Sequence, residues 1–236
     1  MRGNSNNLQG DFRYYQRPLH GVRWIHQLQH APRLRMMQRF MSALAPQPSD
    51  LVLDLGASNL SDPMENIFEN SYPYKHKIIA AGTEDCSFLE QKYPGLRFVR
   101  TKSGEKLPFS DNFFSIGFCN AVIEHVGSSR EQRFFLSELL RVSRRVFLAT
   151  PNRWFPVELH TRIPFLHWLP QRLFRSLLRR LRLEFYADER NLNLLTPRQL
   201  RALVPPGSYR KVSLSYHYFL GLPSNLVLII EKQPPA

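Results

Sequence analysis

Residues 51–63, "LVLDLGASNLSDP", carry the strongest fold signal in this chain. An apolar run ends in Asp54, and Gly56 follows two residues later, as in a buried strand that feeds a ligand-binding turn. Such turns usually carry further glycines, but this chain has Ser58 and Leu60 at those positions. A side chain there needs permissive backbone angles and takes up space beside a ligand. The turn is therefore predicted to bind a nucleotide-like cofactor with Gly56 but without the further glycines, and with Ser58 as an extra hydrogen-bond donor.

Short apolar runs alternate with helix-like segments along the rest of the chain. Ser128 and Glu131 are spaced as a capping box before a helix, and Asp62-Pro63 places an N-cap before a proline. Strands that alternate with helices need crossover connections, so we expect a doubly wound α/β fold with a mostly parallel, Rossmann-like sheet. The further predicted strands are 77–82, 113–120, 145–150, 209–219 and 225–232, of which the last two form a closing antiparallel pair.

Size and composition predict one α/β domain with its own core, since 43% of the 236 residues are apolar. Residues 1–48 are predicted to form a basic extension with a helix at about Pro32 to Leu44, and residues 49–236 are predicted to form the main domain. No run approaches the roughly 18 apolar residues of a membrane span, and the polar N-terminus lacks the apolar core of a secretory signal. The two cysteines suit neither a disulfide framework nor a metal site. We therefore expect a reduced, cytoplasmic protein without a bound metal.

The chain is strongly basic, with 32 Lys and Arg against 19 Asp and Glu and a formal net charge of +13. Such a surface attracts polyanions, either nucleic acid or anionic lipid headgroups. A solvated basic surface without a polyanionic partner is the alternative. Nucleic acid is the less favoured partner because the arginines are bunched with leucines and no separate RNA-binding module is recognisable.

Polar residues and glycine follow the predicted parallel strands at the points where each strand ends. Ligands bind beyond the carboxyl ends of such strands, where Gly56, Asn120 and Thr150 are expected. After the second strand, Glu84 or alternatively Asp85 is placed to bind the two hydroxyls of a ribose. A nicotinamide dinucleotide is disfavoured, because its G-x-G-x-x-G fingerprint is reduced here to one glycine.

In this order and spacing, the motifs resemble the class I S-adenosylmethionine-dependent methyltransferases, and among them the type 11 group. The resemblance covers about residues 50–155 and rests on D-x-G at Asp54, the acid after the second strand, "LPFSDNFF" (107–114), "NAVIEHV" (120–126) and "RVSRRVFLATPN" (141–152). The terminal "PSNLVLIIEK" (223–232) is similar to the last strand of that fold. The resemblance implies the class I methyltransferase fold with an antiparallel last strand, and S-adenosylmethionine as cofactor.

The resemblance also implies roles for individual residues. Asp54 and Gly56 are expected on the methionine and ribose side of the cofactor, and Glu84 at the ribose hydroxyls. Glu124 and His125 would stand near the transferred methyl group, at the mouth of the site. The other implied contacts are Glu105 and Leu107 at the adenine, and Asn120 and the backbone of Ala121 at the methionine moiety.

A hydroxyl or amine that accepts a methyl group needs a base with a pKa near neutrality, and histidine is suited to this task. His125 is the first candidate and His160, in "PVELHT", is the second. A role in shaping the site is the alternative for His125, and loop stabilisation is the alternative for His160. The cofactor's sulfonium is already a strong alkylating agent, so the protein mainly has to align and desolvate the reactants.

Residues 153–196 are predicted to form a lid or acceptor-binding insertion, because they are rich in aromatic residues and prolines. Within them, residues 171–183 predict an amphipathic helix whose polar face carries only arginines, as in helices that lie on a membrane surface. A helix packed on the core with a solvated arginine face is the alternative. The expected apolar face contains Leu173, Phe174, Leu177, Leu178 and Leu181.

Together these features predict S-adenosylmethionine-dependent methyl transfer to a small-molecule, lipid or lipid-linked glycan acceptor, with peripheral contact at the inner face of an anionic membrane. The chain departs from the family pattern at Ser58 and Leu60 in the glycine loop, at Ser103 and at Ser115. These departures motivate an alternative, a catalytically silent protein of the same fold that binds a membrane or a protein partner through its basic helix.

Overall fold

The computed structural model describes residues 23–60 and 66–234, and within them seven strands form one sheet. The first five strands are mutually parallel, whereas β7 is antiparallel to both β5 and β6. The order across the sheet is β3-β2-β1-β4-β5-β7-β6 and reverses beside β1, so the carboxyl ends of β1 and β4 lie where sheets of this kind bind ligands. The strands are β1 (Val52–Leu55), β2 (Ile78–Gly82), β3 (Arg97–Arg100), β4 (Phe114–Asn120), β5 (Ser143–Pro151), β6 (Tyr209–Phe219) and β7 (Leu222–Lys232).

Helices cover both faces of the sheet. The predicted capping box opens α4, where the Ser128 hydroxyl accepts from the Glu131 N–H and the Glu131 carboxylate accepts from the Ser128 N–H. The predicted cap at Asp62-Pro63 lies outside the described residues. None of the described helices combines the length and the apolar content that crossing a bilayer requires. The helices are α1 (Arg23–Leu44), α2 (Ile67–Ser71), α3 (Phe88–Lys92), α4 (Ser129–Val142), α5 (Gln171–Arg180), α6 (Glu184–Ala187) and α7 (Pro197–Leu203).

The core has one apolar cluster on each face of the sheet. On the first face, the ring of Phe40 from α1 meets Phe68, Phe118 and Phe147 edge-on, with centroids 5.5, 5.2 and 5.5 Å away. Cys86 is fully buried in this cluster, and Cys119 is fully buried in the other. Burial raises the pKa of the Cys86 thiol to about 12 and also raises that of Cys119, so both thiols stay protonated.

The predicted doubly wound α/β fold, with its mostly parallel sheet and antiparallel closing pair, is confirmed. Two elements differ from the sequence prediction. The short edge strand β3 was not predicted, because "RFVR" begins and ends in exposed arginines. The helix α1 begins at Arg23 and contains Pro32, whereas the sequence placed the proline near its start. Proline removes one helical hydrogen bond, but burial of Met36 and Phe40 in the following turns holds the helix on the sheet.

The apolar face predicted for residues 171–183 is divided in the structure. Phe174 and Leu178 of α5 are buried in a small cluster with residues of α6 and of the segment after it. Leu173 and Leu181 are instead 47% and 53% exposed. Because its central apolar residues already pack against the protein, α5 follows the alternative of a core-packed helix with a solvated arginine face.

Arg141 of α4 joins that helix to the loop before β4. Its guanidinium donates to both carboxylate oxygens of Glu138 at 2.8 Å and to Asp111 Oδ1 at 2.8 Å. It also donates to the backbone carbonyls of Phe109 at 2.8 Å and Leu107 at 3.0 Å. This one side chain therefore fixes the loop that the sequence predicts to lie beside the cofactor's adenine.

We expect Arg141→Lys to lower the free energy of unfolding by about 2 kcal/mol, because a single ammonium cannot replace a fork that bridges two carboxylates and two carbonyls. Urea unfolding measures the change. Arg130→Lys is the matched control, because Arg130 lies on the exposed side of the same helix, and we expect a change within about 0.5 kcal/mol. Equal stability of the two variants would contradict the bridging role of Arg141.

Candidate active site

The turn after β1 is packed tightly between its neighbours. Gly56 has φ +105°, and a Cβ built on it would lie 2.2 Å from Cγ2 of Val122. Its N–H donates to the carbonyl of Ala81 at 2.7 Å. Ser58 is half-buried, and its hydroxyl accepts from the N–H of Leu60 at 3.2 Å. The backbone angle and the approach of Val122 thus require glycine at position 56. The Ser58 hydroxyl stabilises the turn through its hydrogen bond with Leu60.

Asp54 lies at the base of this turn and is paired with a second buried carboxyl group. Its side chain is 6% exposed and shares a hydrogen bond with Glu69 of α2, which is 2% exposed. Burial raises the pKa of both groups, and the adjacent Glu69 raises that of Asp54 further. We infer that the pair shares a proton, because two adjacent buried carboxylates cannot both remain charged. Glu69 was not identified from the sequence.

The residues predicted at the ends of β2 and β4 flank the turn on its two sides. Leu55 of β1 is in register with Ala81 of β2, so Glu84 follows at the same edge of the sheet. Glu84 and Asn120 are both half-buried. Asp85 is exposed, and its carboxylate accepts from the N–H of Ser87 at 2.9 Å, at the start of α3. Which of the two acids binds a ribose stays a prediction.

Three other predicted contact residues have different surroundings. Glu105 is exposed and forms an ion pair with Lys102 at 3.5 Å. Leu107 is buried, and its N–H donates to Glu138 at 2.9 Å. Ala121 is exposed with φ +57°, and its N–H donates to the carbonyl of Ala149 at 2.9 Å. Their roles at a cofactor stay predictions.

The two histidines predicted as bases lie together, although 35 positions separate them in the chain. The rings of His125 and His160 meet edge-on with centroids 4.8 Å apart. Nδ1 of His160 lies 2.6 Å from Oε1 of Glu158, whose carboxylate also accepts from the N–H groups of His160 and Thr161. Glu158 is another residue that the sequence analysis missed, although its i, i+2 spacing to His160 was a usable signal.

This contact sets the charge of both partners. Burial disfavours the charged form of Glu158, but the hydrogen bonds from His160 hold its pKa at about 2. Burial alone would lower the pKa of His160, but the Glu158 carboxylate raises it above its ordinary value. The contact therefore favours an imidazolium on His160 beside the buried carboxylate of Glu158.

Burial favours the neutral forms of His125 and Glu124. Nδ1 of His125 lies 2.7 Å from the carbonyl of Asn191, and its Nε2 lies 3.9 Å from Oε1 of Glu124. Burial and the neighbouring His160 lower the pKa of His125 to about 3. Glu124 is fully buried and accepts from the Thr150 hydroxyl at 2.9 Å, and burial raises its pKa to about 7. The four titratable groups thus have pKa values shifted in opposite directions within each residue type, as is common in acid–base sites.

Contacts connect this histidine cluster to the turn after β1. His125 belongs to the 3₁₀ turn Ile123–His125, directly after the Val122 that packs on Gly56. The carbonyl of Glu124 accepts from the N–H of Asn193 at 2.7 Å, which fastens the end of the insertion to the same turn. The cluster therefore lies at the carboxyl edge of the sheet, beside the predicted cofactor loop.

Residues 74–146 match the family model described as a methyltransferase domain, of type 11. This segment is therefore similar to a type 11 methyltransferase domain. No curated protein matches the sequence significantly. The match supports the resemblance predicted from "NAVIEHV" and its neighbouring motifs.

Solved structures of methyltransferases share the fold. A possible histamine N-methyltransferase from Thermotoga maritima is 14% identical with a TM-score of 0.55, over 94% of this chain and 100% of that one. The 1,6-didemethyltoxoflavin-N1-methyltransferase of Burkholderia thailandensis, solved with bound 1,6-didemethyltoxoflavin and S-adenosylhomocysteine, is also 14% identical with a TM-score of 0.55, over 87% of this chain and 80% of that one. The predicted class I methyltransferase fold is confirmed. Together with the domain match, it supports the predicted S-adenosylmethionine-dependent enzyme.

We expect Glu124→Gln to change the pH dependence of stability. As pH rises from 4.5 to about 7, Glu124 loses its proton in the unfolded chain but keeps it in the folded chain. Proton retention in the folded state makes the wild type lose stability over this window, by about 3 kcal/mol. The variant lacks this loss, so its stability relative to the wild type should increase from pH 5 to pH 8 in urea titrations.

Glu105→Gln is the matched control for this experiment, because Glu105 is exposed. Its stability relative to the wild type should hardly depend on pH in the same window. If both variants show the same pH dependence, Glu124 is not the protonated carboxyl described above.

Proposed function

We propose that this chain transfers the methyl group of S-adenosylmethionine to a hydroxyl or amine of a small-molecule, lipid or lipid-linked glycan acceptor. The observation that carries the proposal is the Glu158–His160 pair, which stands against His125 beside the turn after β1. A histidine oriented by a buried carboxylate is the arrangement of a general base. A cytoplasmic location with peripheral membrane contact remains part of the proposal.

The polar groups at the carboxyl edge of the sheet fit this cofactor. The half-buried carboxylate of Glu84 suits the two ribose hydroxyls, and the half-buried Asn120 amide suits the amino-acid end. Ser58 offers a hydroxyl where the family pattern has glycine. Asp54 lies at the base of the turn, on the methionine and ribose side of the cofactor in this proposal, and the buried Glu69 lies beside it. When bound, S-adenosylmethionine supplies a methyl group activated by a sulfonium.

The histidine cluster removes the acceptor's proton in this proposal. The Glu158 carboxylate lies 2.6 Å from Nδ1 of His160 and so orients the ring of the proposed base. The same carboxylate stabilises the imidazolium that forms. Because the pKa of His160 is raised, the active neutral form grows as pH increases, and activity should increase with it. His125 stays uncharged and its ring packs against that base.

A catalytically silent protein that binds a membrane or a protein partner is the second candidate. The observation in its favour is that the Val122 side chain, rather than open space, faces Gly56. The departures at Ser58 and Leu60 support the same alternative. Calorimetric titration with S-adenosylmethionine and with S-adenosylhomocysteine separates the two candidates, because only the first requires binding.

We expect Glu84→Ala to weaken binding of S-adenosylhomocysteine at least about tenfold, because two hydrogen bonds to a charged group are lost. Asp85→Ala is the matched control on the adjacent residue and should change the affinity less than about twofold. Calorimetry on the purified chain measures both. The reverse ranking would assign the ribose to Asp85, and absence of binding by the wild type would favour the silent protein.

We expect Glu158→Gln to lower the pKa of His160 by at least about 1, because the carboxylate that stabilises its charge is gone. Titration of the histidine ring resonances by NMR measures this without knowledge of the acceptor. Glu189→Gln is the control, since Glu189 pairs with Arg175 outside the histidine cluster. An unchanged His160 titration in Glu158→Gln would rule out the proposed orientation of the base.

A further inference from the structure

Three aromatic side chains of the insertion are exposed side by side. Trp154, Phe165 and Trp168 have exposed fractions of 49%, 53% and 40%. The ring centroids of Phe165 and Trp168 are 4.8 Å apart, and those of Trp154 and Trp168 are 6.4 Å apart. Their contacts with one another leave much of each ring in water, which core packing does not explain. We call these three residues the aromatic face.

The tip of the β6–β7 hairpin adds exposed apolar side chains. Leu220 is 78% exposed and Leu222 is 46% exposed. Leu220 also has φ +50°, a conformation that costs a leucine energy and suits Asn, Asp or Gly. Local folding therefore does not explain a leucine at this position. Its side chain projects from the turn into solvent.

Contacts place the hairpin tip next to the aromatic face. Asn152 donates through Nδ2 to the carbonyl of Pro223 at 2.9 Å, and its own N–H donates to the carbonyl of Ser224 at 2.9 Å. The rings of Phe155 and Phe219 are 6.3 Å apart. The chain segment that carries Trp154 is thus fastened to the strand that starts at the tip.

Positive charge flanks this surface. On the hairpin side, the Arg39 guanidinium of α1 donates to the carbonyl of Tyr216 and to the hydroxyl of Ser215. On the other side, α5 follows the aromatic face directly in the chain. Its exposed arginines are Arg172, Arg179 and Arg180, and the exposed Arg182 follows just after the helix.

We propose that the hairpin tip and the aromatic face dock on an anionic lipid bilayer. Aromatic rings favour the bilayer interface, and flanking arginines are attracted to anionic headgroups. A second copy of this chain suits the surface less, because each copy carries a net charge of +13 and its arginines would repel one another. The docking surface differs from the apolar face of α5, whose Phe174 and Leu178 are already buried.

Docking would also bring the bilayer to the acceptor side of the histidine cluster. Glu158 and His160 lie in the insertion between Trp154 and Phe165, and Val157 pairs with Pro164 across it. This consequence, a membrane lipid as the methyl acceptor, rests on the proposed function. The docking itself does not depend on it.

The test is co-sedimentation with phosphatidylcholine vesicles that contain phosphatidylglycerol, compared with vesicles of phosphatidylcholine alone. We expect the wild type to bind the anionic vesicles, and Leu220→Asp to weaken this binding at least about tenfold, because a charge replaces an apolar insertion. The backbone at Leu220 tolerates Asp well, so we expect unchanged thermal unfolding.

Phe113→Ser is the matched control, because Phe113 is 47% exposed but lies just before β4, at the opposite edge of the sheet. It should bind anionic vesicles as the wild type does. A wild type that stays in the supernatant, or equal binding by Leu220→Asp, would overturn the proposal. So would a concentration-dependent dimer, seen by ultracentrifugation, that Leu220→Asp abolishes, because the surface would then belong to a second copy.

Failure of this inference can be told apart from failure of the proposed function. The vesicle experiment contains neither cofactor nor acceptor, so its result does not depend on methyl transfer. Binding of S-adenosylhomocysteine is measured without vesicles. A chain that binds the cofactor but no vesicles keeps the proposed methyl transfer and loses the membrane contact and the lipid acceptor, and the opposite result leaves only the docking surface.

Discussion

The contact between Gly56 and Val122 is the constraint on which the site depends. The turn after β1 and the segment after β4 converge so closely that no side chain fits at Gly56. Because Val122 is fixed there, the 3₁₀ turn that follows places Glu124 and His125 at the carboxyl edge of the sheet. The insertion is then fastened to this turn through Asn193. One steric contact between two strand ends therefore fixes the turn after β1 and the histidine cluster relative to each other.

The pKa values of the ionisable groups in the site depend on burial and on their hydrogen-bond partners. Glu158 has three donors and remains ionised, whereas Glu124 has the Thr150 hydroxyl and keeps its proton up to about pH 7. The Glu158 carboxylate raises the pKa of His160, whereas burial and the neighbouring His160 lower the pKa of His125 to about 3. The same residue type therefore has its pKa shifted in opposite directions at two positions a few ångströms apart.

Much of the sheet and part of the site could be predicted from sequence. Buried strands such as "LVLDL" are read directly from apolar runs, and the acid–glycine order after β1 indicates the ligand-binding edge. The strand β3 was missed because it lies at the edge and ends in charged residues. Glu69 and the pairing of His125 with His160 could not be found, since contacts between distant segments leave no local pattern. The arginine-rich α5 was ambiguous for the same reason, because burial of Phe174 depends on residues that follow the helix.

The two cysteines provide built-in chemical probes of this architecture. Cys86 is buried on one face of the sheet and Cys119 on the other, and both thiols are kept protonated. Alkylating reagents attack the thiolate, so each cysteine becomes reactive only when its own face opens to water. Equal alkylation rates would mean that the two layers of the protein separate from the sheet in a single event. Unequal rates would show that one layer opens while the other stays closed, and would say which layer opens first.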